Sequence, residues 1–108
     1  MIITNGPLRL DVDEYRVWMG KQRIYVATAQ FRVLQLLMQN VDHLVTHEQV
    51  CKAARGDPGM DRMDASEVGR NNVQWIRRMF RNWTDQEQIE NVRGIGYRLN
   101  PWTDGTVP

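Results

Sequence analysis

A single cysteine, Cys51, means that no intramolecular disulfide can hold this 108-residue chain together. No apolar run is long enough for the core of a signal peptide or for a membrane span, which points to a soluble, cytoplasmic protein without a membrane partner. There is also no charge excess. The 14 Lys and Arg against 13 Asp and Glu leave a formal net charge of +1, which excludes a polybasic chain that coats nucleic acid indiscriminately. Neither histidine, His43 or His47, has a Cys or carboxylate partner at metal-ligand spacing, so no metal is expected. No nucleophile has a plausible base. Asp11-Val12-Asp13-Glu14 looks like paired carboxylates but falls at a turn between strands, where acids are simply solvated. Gly94-Ile95-Gly96 is followed by no helix and so is no dinucleotide fingerprint. These absences leave no catalytic residue and no cofactor, and the chain is not expected to be an enzyme.

What remains is one globular domain, able to bury roughly 65% of its unfolded surface. Residues 8–26 alternate polar and apolar side chains, with Leu8, Leu10 and Val12, then Tyr15, Val17 and Met19, then Ile24 and Val26, interrupted at Gly20-Lys21. That is the period of half-buried antiparallel strands. Ile2-Ile3 adds an edge strand. From Ala27 or Thr28 the period becomes helical, with Phe31, Leu34, Leu37 or Met38, and Val41 on one face until Asp42-His43. Thr46-x-x-Gln49 is a capping box with Val45 and Val50 in the staple positions, and opens a helix from about His47 to Ala54. Residues 55–59 read as loop. Asp64-x-x-Glu67 caps a long third helix ending near Trp83. Ile89–Val92 and Tyr97–Leu99 flank Arg93-Gly94-Ile95-Gly96 in a hairpin. No linker divides the chain, so residues 1–100 form the domain and residues 101–108 an irregular tail.

Charge is unevenly placed. Up to Glu67 the acids slightly outnumber the bases, whereas from Val68 to Leu99 six arginines face only Asp85, Glu87 and Glu90. On a helical wheel, Arg77, Arg70, Arg81, Gln74, Arg78, Asn71 and Trp75 fall on one continuous arc. Met79, Trp83, Ile76, Phe80 and Val73 fall opposite, with Asn72 the one intruder. An ordinary solvated helix face would account for such charges, but it normally mixes signs so that acids and bases pair at i,i+4. This face has no acid. Arg, Asn and Gln also match the donor and acceptor pattern of guanine and adenine edges in the major groove. The wheel alone leaves both readings open.

The order of elements favours the second. A capped short helix, a connection, a basic helix and a hairpin tipped with Arg-Gly form the winged helix-turn-helix plan. "IENVRGIGYRL" closely resembles the V-R-G-x-G-Y-x-L wing of the DNA-binding effector domains of OmpR/PhoB-type response regulators. "QFRVLQLL" resembles that family's E-F-x-L-L-x-L-L, "LVTHEQV" its V-V-S-R-E-x-L, and "NNVQWIRRMF" less closely its V-D-V-x-I-R-R-L-R. The resemblance covers nearly the whole chain and implies an α+β fold: an N-terminal antiparallel sheet, three helices and a C-terminal β-hairpin wing. Ala27 departs from the family's capping threonine, so the first helix starts a residue later or relies on Gln30. Asn72 stands at an apolar position, Phe80 at an arginine position, and Ala54-Arg55 where tryptophan is frequent. No phospho-acceptor receiver domain precedes Met1, so the chain reads as an excised effector domain or a free-standing regulator.

The resemblance implies sequence-specific binding of double-stranded DNA, with the third helix in the major groove and the wing in the minor groove. Gln74 and Arg78, one turn apart in the middle of the arc, are the candidates for base edges, and Asn71 for bases or phosphate. Arg70, Arg77 and Arg81 flank them as phosphate contacts. Trp75 matches a position that touches the DNA backbone in the family, or covers the core edge. Thr46 is a further phosphate candidate, although capping is its stronger role. Arg93 and Gly94 form the wing contact, where a guanidinium enters the minor groove beside backbone free of Cβ bulk. The family further implies a homodimer on repeated half-sites and an RNA polymerase contact through residues 56–63. The rival is a winged-helix protein–protein interaction module using Trp75, Phe80 and Arg81.

Overall fold

Period-two alternation builds the first layer. The structure, a computed structural model, describes residues 1–55 and 65–102, with the side chains of all but 65–68. Strands β1 (Ile2–Asn5), β2 (Leu8–Asp11), β3 (Arg16–Met19) and β4 (Gln22–Ile24) form an antiparallel sheet in that order. The register Leu8↔Met19 and Leu10↔Val17 puts four fully buried apolar side chains on one face. The opposite face pairs Arg9 with Trp18, the guanidinium 4.8 Å from the ring centroid.

Three helices follow, α1 (Thr28–Gln39), α2 (His47–Arg55) and α3 (Ala65–Arg81), with α1 lying against β1 and packed on the other two. Helix α1 buries Phe31, Val33, Leu34, Leu37 and Met38. Ala27 has no capping oxygen, and Gln30 supplies one instead, its Oε1 accepting the Ala27 N–H at 2.8 Å. The helix ends at Gln39, three residues short of Asp42-His43. Asn40 closes it, donating from Nδ2 to the Leu36 carbonyl at 2.8 Å and from its backbone N–H to that of Leu37 at 3.1 Å. These bonds satisfy carbonyls that the last turn leaves open. Asp42 then takes φ 68° and donates its N–H to Leu99 O at 2.7 Å, pinning the end of α1 to the last strand.

A short strand not foreseen in the sequence, β5 (Leu44–Thr46), pairs antiparallel with β7 (Gly96–Leu99), whose other neighbour is β6 (Ile89–Val92). Its three residues show no period of their own. Val45 therefore reaches burial as a strand residue rather than only as a staple for Val50. The Thr46 capping box is present: Gln49 N–H donates to Thr46 Oγ1 at 3.1 Å and Thr46 N–H to Gln49 Oε1 at 2.9 Å. Helix α2 crosses α3 closely at Gly69, where a Cβ would lie 3.0 Å from Cys51 Sγ and 3.2 Å from Val50 Cγ1. Burial pushes the Cys51 thiol pKa up, with Arg55 opposing it in part, as befits a packing residue. The Asp64-x-x-Glu67 cap and the 56–63 connection lie outside the described residues.

Phe80, at a family arginine position, is buried and meets Trp102 edge-on, the ring centroids 6.0 Å apart at 87°. Trp102 N–H donates to Asn5 Oδ1 at 2.9 Å, and Asn5 Nδ2 donates to Asn100 O at 3.2 Å. Trp102, expected in the tail, thus lies against the N-terminal hairpin. The result is the expected α+β winged helix: sheet, three helices and C-terminal hairpin. No helix among the described residues is long and apolar enough to cross a membrane.

Gly96 is not a tip residue but a packing one. A Cβ there would overlap the Val45 carbonyl oxygen and lie 2.7 Å from Thr46 Cα, whereas a Cβ on Gly94 meets nothing within 4 Å. Gly94 instead needs its φ of +79°. Chemical denaturation should therefore show Gly96→Ala costing about 3 kcal/mol, from backbone overlap that no rotamer relieves. Gly94→Ala should cost about 1 kcal/mol, the left-handed penalty alone. Equal losses would mean that β5 shifts freely.

Candidate nucleic-acid interface

Helix α3 buries Val73, Ile76, Met79 and Phe80 and turns its polar arc outward. At 3.6 residues per turn that arc resolves into two parallel rows. Arg70, Gln74, Arg77 and Arg81 run along the side facing the hairpin. Asn71, Trp75, Arg78 and Asn82 run along the other side, where Trp75, Arg78 and Asn82 border a hollow against Gln22 and Ile24 of β4. Arg70, Asn71, Gln74, Arg78 and Arg81 are exposed, Trp75 is half-buried against the core, and the intruder Asn72 is half-buried. Gln74 and Arg78 thus lie on adjacent rows, and Asn71 stands two turns before Arg78.

Arg77, expected at a phosphate, is engaged within the domain. Its side chain is 11% exposed and ties α3 to β6, with Nε donating to Glu87 Oε1 at 3.1 Å, and Nη2 to Ile89 O at 3.1 Å and Asn91 Oδ1 at 2.9 Å. It sits at the edge of the arc, where a long side chain reaches the hairpin before it reaches solvent. Arg81 is 64% exposed and only 3.9 Å from Glu87 Oε2, a contact too solvated to hold it. Arg98 pairs across the strands with Glu90 at 3.0 Å. Arg70, Arg78 and Arg93 have no ion-pair partner among the described residues.

Between α3 and the wing lies an open cleft of about 450 Å³ bounded by Arg70 and Gln74, by Asn91, Arg93 and Gly94 of the wing, and by His47. Arg93 and Gly94 are exposed at the hairpin tip. Thr46 is half-buried with its hydroxyl engaged by Gln49, so the local cap is its observed role. Phe80 is buried, which removes it from the surface that the protein-interaction reading requires. His47 and Asn91 belong to the cleft although their chemistry in the sequence did not single them out. The signal for His47 was its place beside the Thr46 cap, which the unforeseen β5 brings next to the wing.

The geometry has relatives. Response regulator protein PmrA of Pseudomonas aeruginosa is 30% identical over 98 residues, 91% of this chain and 41% of PmrA. Response regulator ArlR of Staphylococcus aureus is 24% identical over 97 residues, 90% of this chain and 42% of ArlR. The chain therefore spans about two fifths of the length of these curated relatives. Among solved structures, the Klebsiella pneumoniae RstA DNA-binding domain in complex with RstA box aligns with a TM-score of 0.71 at 26% identity, over 94% of this chain and 98% of that one. Residues 21–99, which take in β4, the three helices and the wing, match the family described as transcriptional regulatory protein, C terminal, and the chain belongs to that family.

Proposed function

We propose that the domain is the DNA-binding effector part of a bacterial transcription regulator, acting in the cytoplasm without a cofactor. Helix α3 enters the major groove of a specific duplex site and the wing lies over the adjacent minor groove. One observation carries this: from Arg70 to Arg81 the outward face of α3 presents arginines and amides without an acid, beside a hairpin whose tip cation, Arg93, has no ion-pair partner among the described residues. A helix is about 10–12 Å across and the major groove about 12 Å wide, so the face can reach base edges. The RstA domain solved with its box supports the reading. Gln74, Arg78 and Asn71 read bases. Arg70, Arg81 and Trp75 hold the backbone. Arg77 positions the wing instead of binding phosphate.

These roles separate by measurement. On the best site from a random duplex pool, Arg78→Ala should cost about 1–3 kcal/mol and flatten preference at one base pair. Arg70→Ala should weaken all duplexes alike and lower the salt slope by about one. Arg77→Ala should lower the melting temperature together with affinity, because it leaves the wing untied. A uniform loss for Arg78→Ala would move that residue to the phosphate set, and an unchanged melting temperature for Arg77→Ala would return Arg77 to it. Binding by the unaltered domain that ignores salt would overturn the DNA reading itself.

Arg93 carries the wing contact. A narrow A·T-rich minor groove concentrates negative potential, so Arg93→Ala should weaken sites flanked by A-tracts more than sites flanked by G·C pairs, with folding unchanged. Equal losses on both flanks would make it an ordinary phosphate contact.

The reading extends to a homodimer on repeated half-sites and to an RNA polymerase contact through residues 56–63, which lie outside the described residues. Replacing 56–63 with a Gly/Ser segment of equal length should abolish transcription activation while DNA affinity stays constant. Simultaneous loss of both would assign the segment to the fold.

A further inference from the structure

The N-terminal sheet has a second face, turned away from the core, and its cations are held in place. Leu8, Leu10, Val17 and Met19 point inward, so the alternation sends Arg9, Arg16, Trp18 and Arg23 outward. The register Arg9↔Trp18 and Trp18↔Arg23 lines up one row across three strands, with Arg16 two residues before Trp18 on β3. The Arg9 guanidinium lies 4.8 Å from the Trp18 ring centroid. That of Arg23 lies 4.8 Å from the ring of Tyr25, a tyrosine 77% exposed just after β4. Trp18 is half-buried and the three arginines are exposed.

A solvated sheet face ordinarily sets opposite charges across from one another. Here Arg9 and Arg23 stand opposite an indole instead. Asp11, opposite Arg16, turns its Oδ1 to the N–H groups of Asp13 and Glu14, at 3.1 and 3.2 Å, and Asp13 pairs with the Met1 amino group. Among the described residues Arg9, Arg16 and Arg23 have no ion-pair partner. Stacking fixes each guanidinium plane and leaves its N–H fork free, so little side-chain freedom is lost when a carboxylate arrives. It also occupies ring surface that a nucleobase would need, so the face suits carboxylates better than a nucleic-acid strand. Trp, Tyr and Arg are the residues that dominate binding at protein interfaces.

Neighbouring strands lie about 4.8 Å apart, which anchors Arg9 and Arg23 about 10 Å apart with Trp18 between them. Carboxylates seven residues apart on a helix stand about 10.5 Å apart on one side of it. We propose that this face docks an acidic helix of a partner protein. Two carboxylates two turns apart meet Arg9 and Arg23, an apolar residue between them rests on Trp18, and Arg16 adds a third positive charge beside them. The surface lies across the sheet from the core on which α3 packs, and the proposal does not depend on the DNA reading.

The test uses the whole chain, isotope-labelled, and a capped helical peptide of about 20 residues carrying Glu-x-x-Leu-x-x-x-Glu on one side. Its control has Gln in place of both Glu. The Glu peptide should move the indole N–H resonance of Trp18, identified by its loss in Trp18→Phe, and should saturate below about 1 mM. The Gln peptide should leave it in place. Arg9→Gln and Arg23→Gln should each weaken the Glu peptide about three- to tenfold. Arg23→Lys should recover only part of that loss, because an ammonium presents no planar fork. Duplex affinity should stay constant in both Gln variants. Melting curves check that the variants fold, and Arg23→Lys carries the test where a Gln variant does not. An unmoved Trp18 resonance, equal binding of the Gln peptide, or full affinity in Arg23→Lys overturns the proposal. Duplex affinity falling in step with peptide affinity would assign the face to DNA, and self-association lost in Arg23→Gln would assign it to a second copy of the chain. Either result overturns the proposal as well.

Discussion

Everything at the proposed interface depends on the passage of β5 across Gly96. Because Gly96 has no side chain, the Val45 carbonyl and the Thr46 backbone lie directly against it, in the register Thr46↔Gly96. That contact sets the first turn of α2 beside the wing, where His47 N–H reaches Ile95 O. On the far side Arg77 binds α3 to Glu87, Ile89 and Asn91. The hairpin is thus gripped by α2 and by α3, and Arg93, Gly94 and Ile95 at its tip are exposed. A wing placed this way does not have to be ordered when a ligand arrives, which lowers the entropic cost of binding.

Legibility in the sequence followed the length over which a pattern runs. The N-terminal strands, α1, the Thr46 box and the wing all show several turns or alternations, and each appears within a few residues of where the pattern puts it. Asn40 ended α1 early because its side chain bonds back to Leu36 O, a local competition that periodicity does not register. β5 was invisible because three residues carry no period, and its pairing partner lies some fifty residues away. The polar arc on α3 was correctly drawn, yet the wheel has no hairpin in it. It could not show that Arg77 at the arc's edge meets Glu87 while Arg70 on the same row stays open. Trp102 was missed for the converse reason: an aromatic in an aperiodic tail gives no sign of the pocket beside Phe80 and Asn5 that receives it.

The near-neutral net charge acquires a meaning once the arginines are placed. Of the six after Val68, Arg77 and Arg98 hold the hairpin and take Glu87 and Glu90 as partners. Glu87 and Glu90 are thereby drawn to the hairpin, and among the described residues Arg70, Arg78 and Arg93 have no ion-pair partner while Arg81 makes only a distant contact. Charge is concentrated where a duplex would lie without being carried on the whole surface, so the potential is local. Few phosphates can be neutralised by so few cations, and the sequence-independent part of binding is correspondingly small. Such a domain gains little from clinging to arbitrary DNA. In the reading proposed, most of its discrimination would come from the base-facing residues of one helix, and a second copy on a neighbouring half-site would add the affinity that one short face lacks. The half-site arrangement we propose is the one favoured by the same economy of charge that makes the chain look unremarkable in composition.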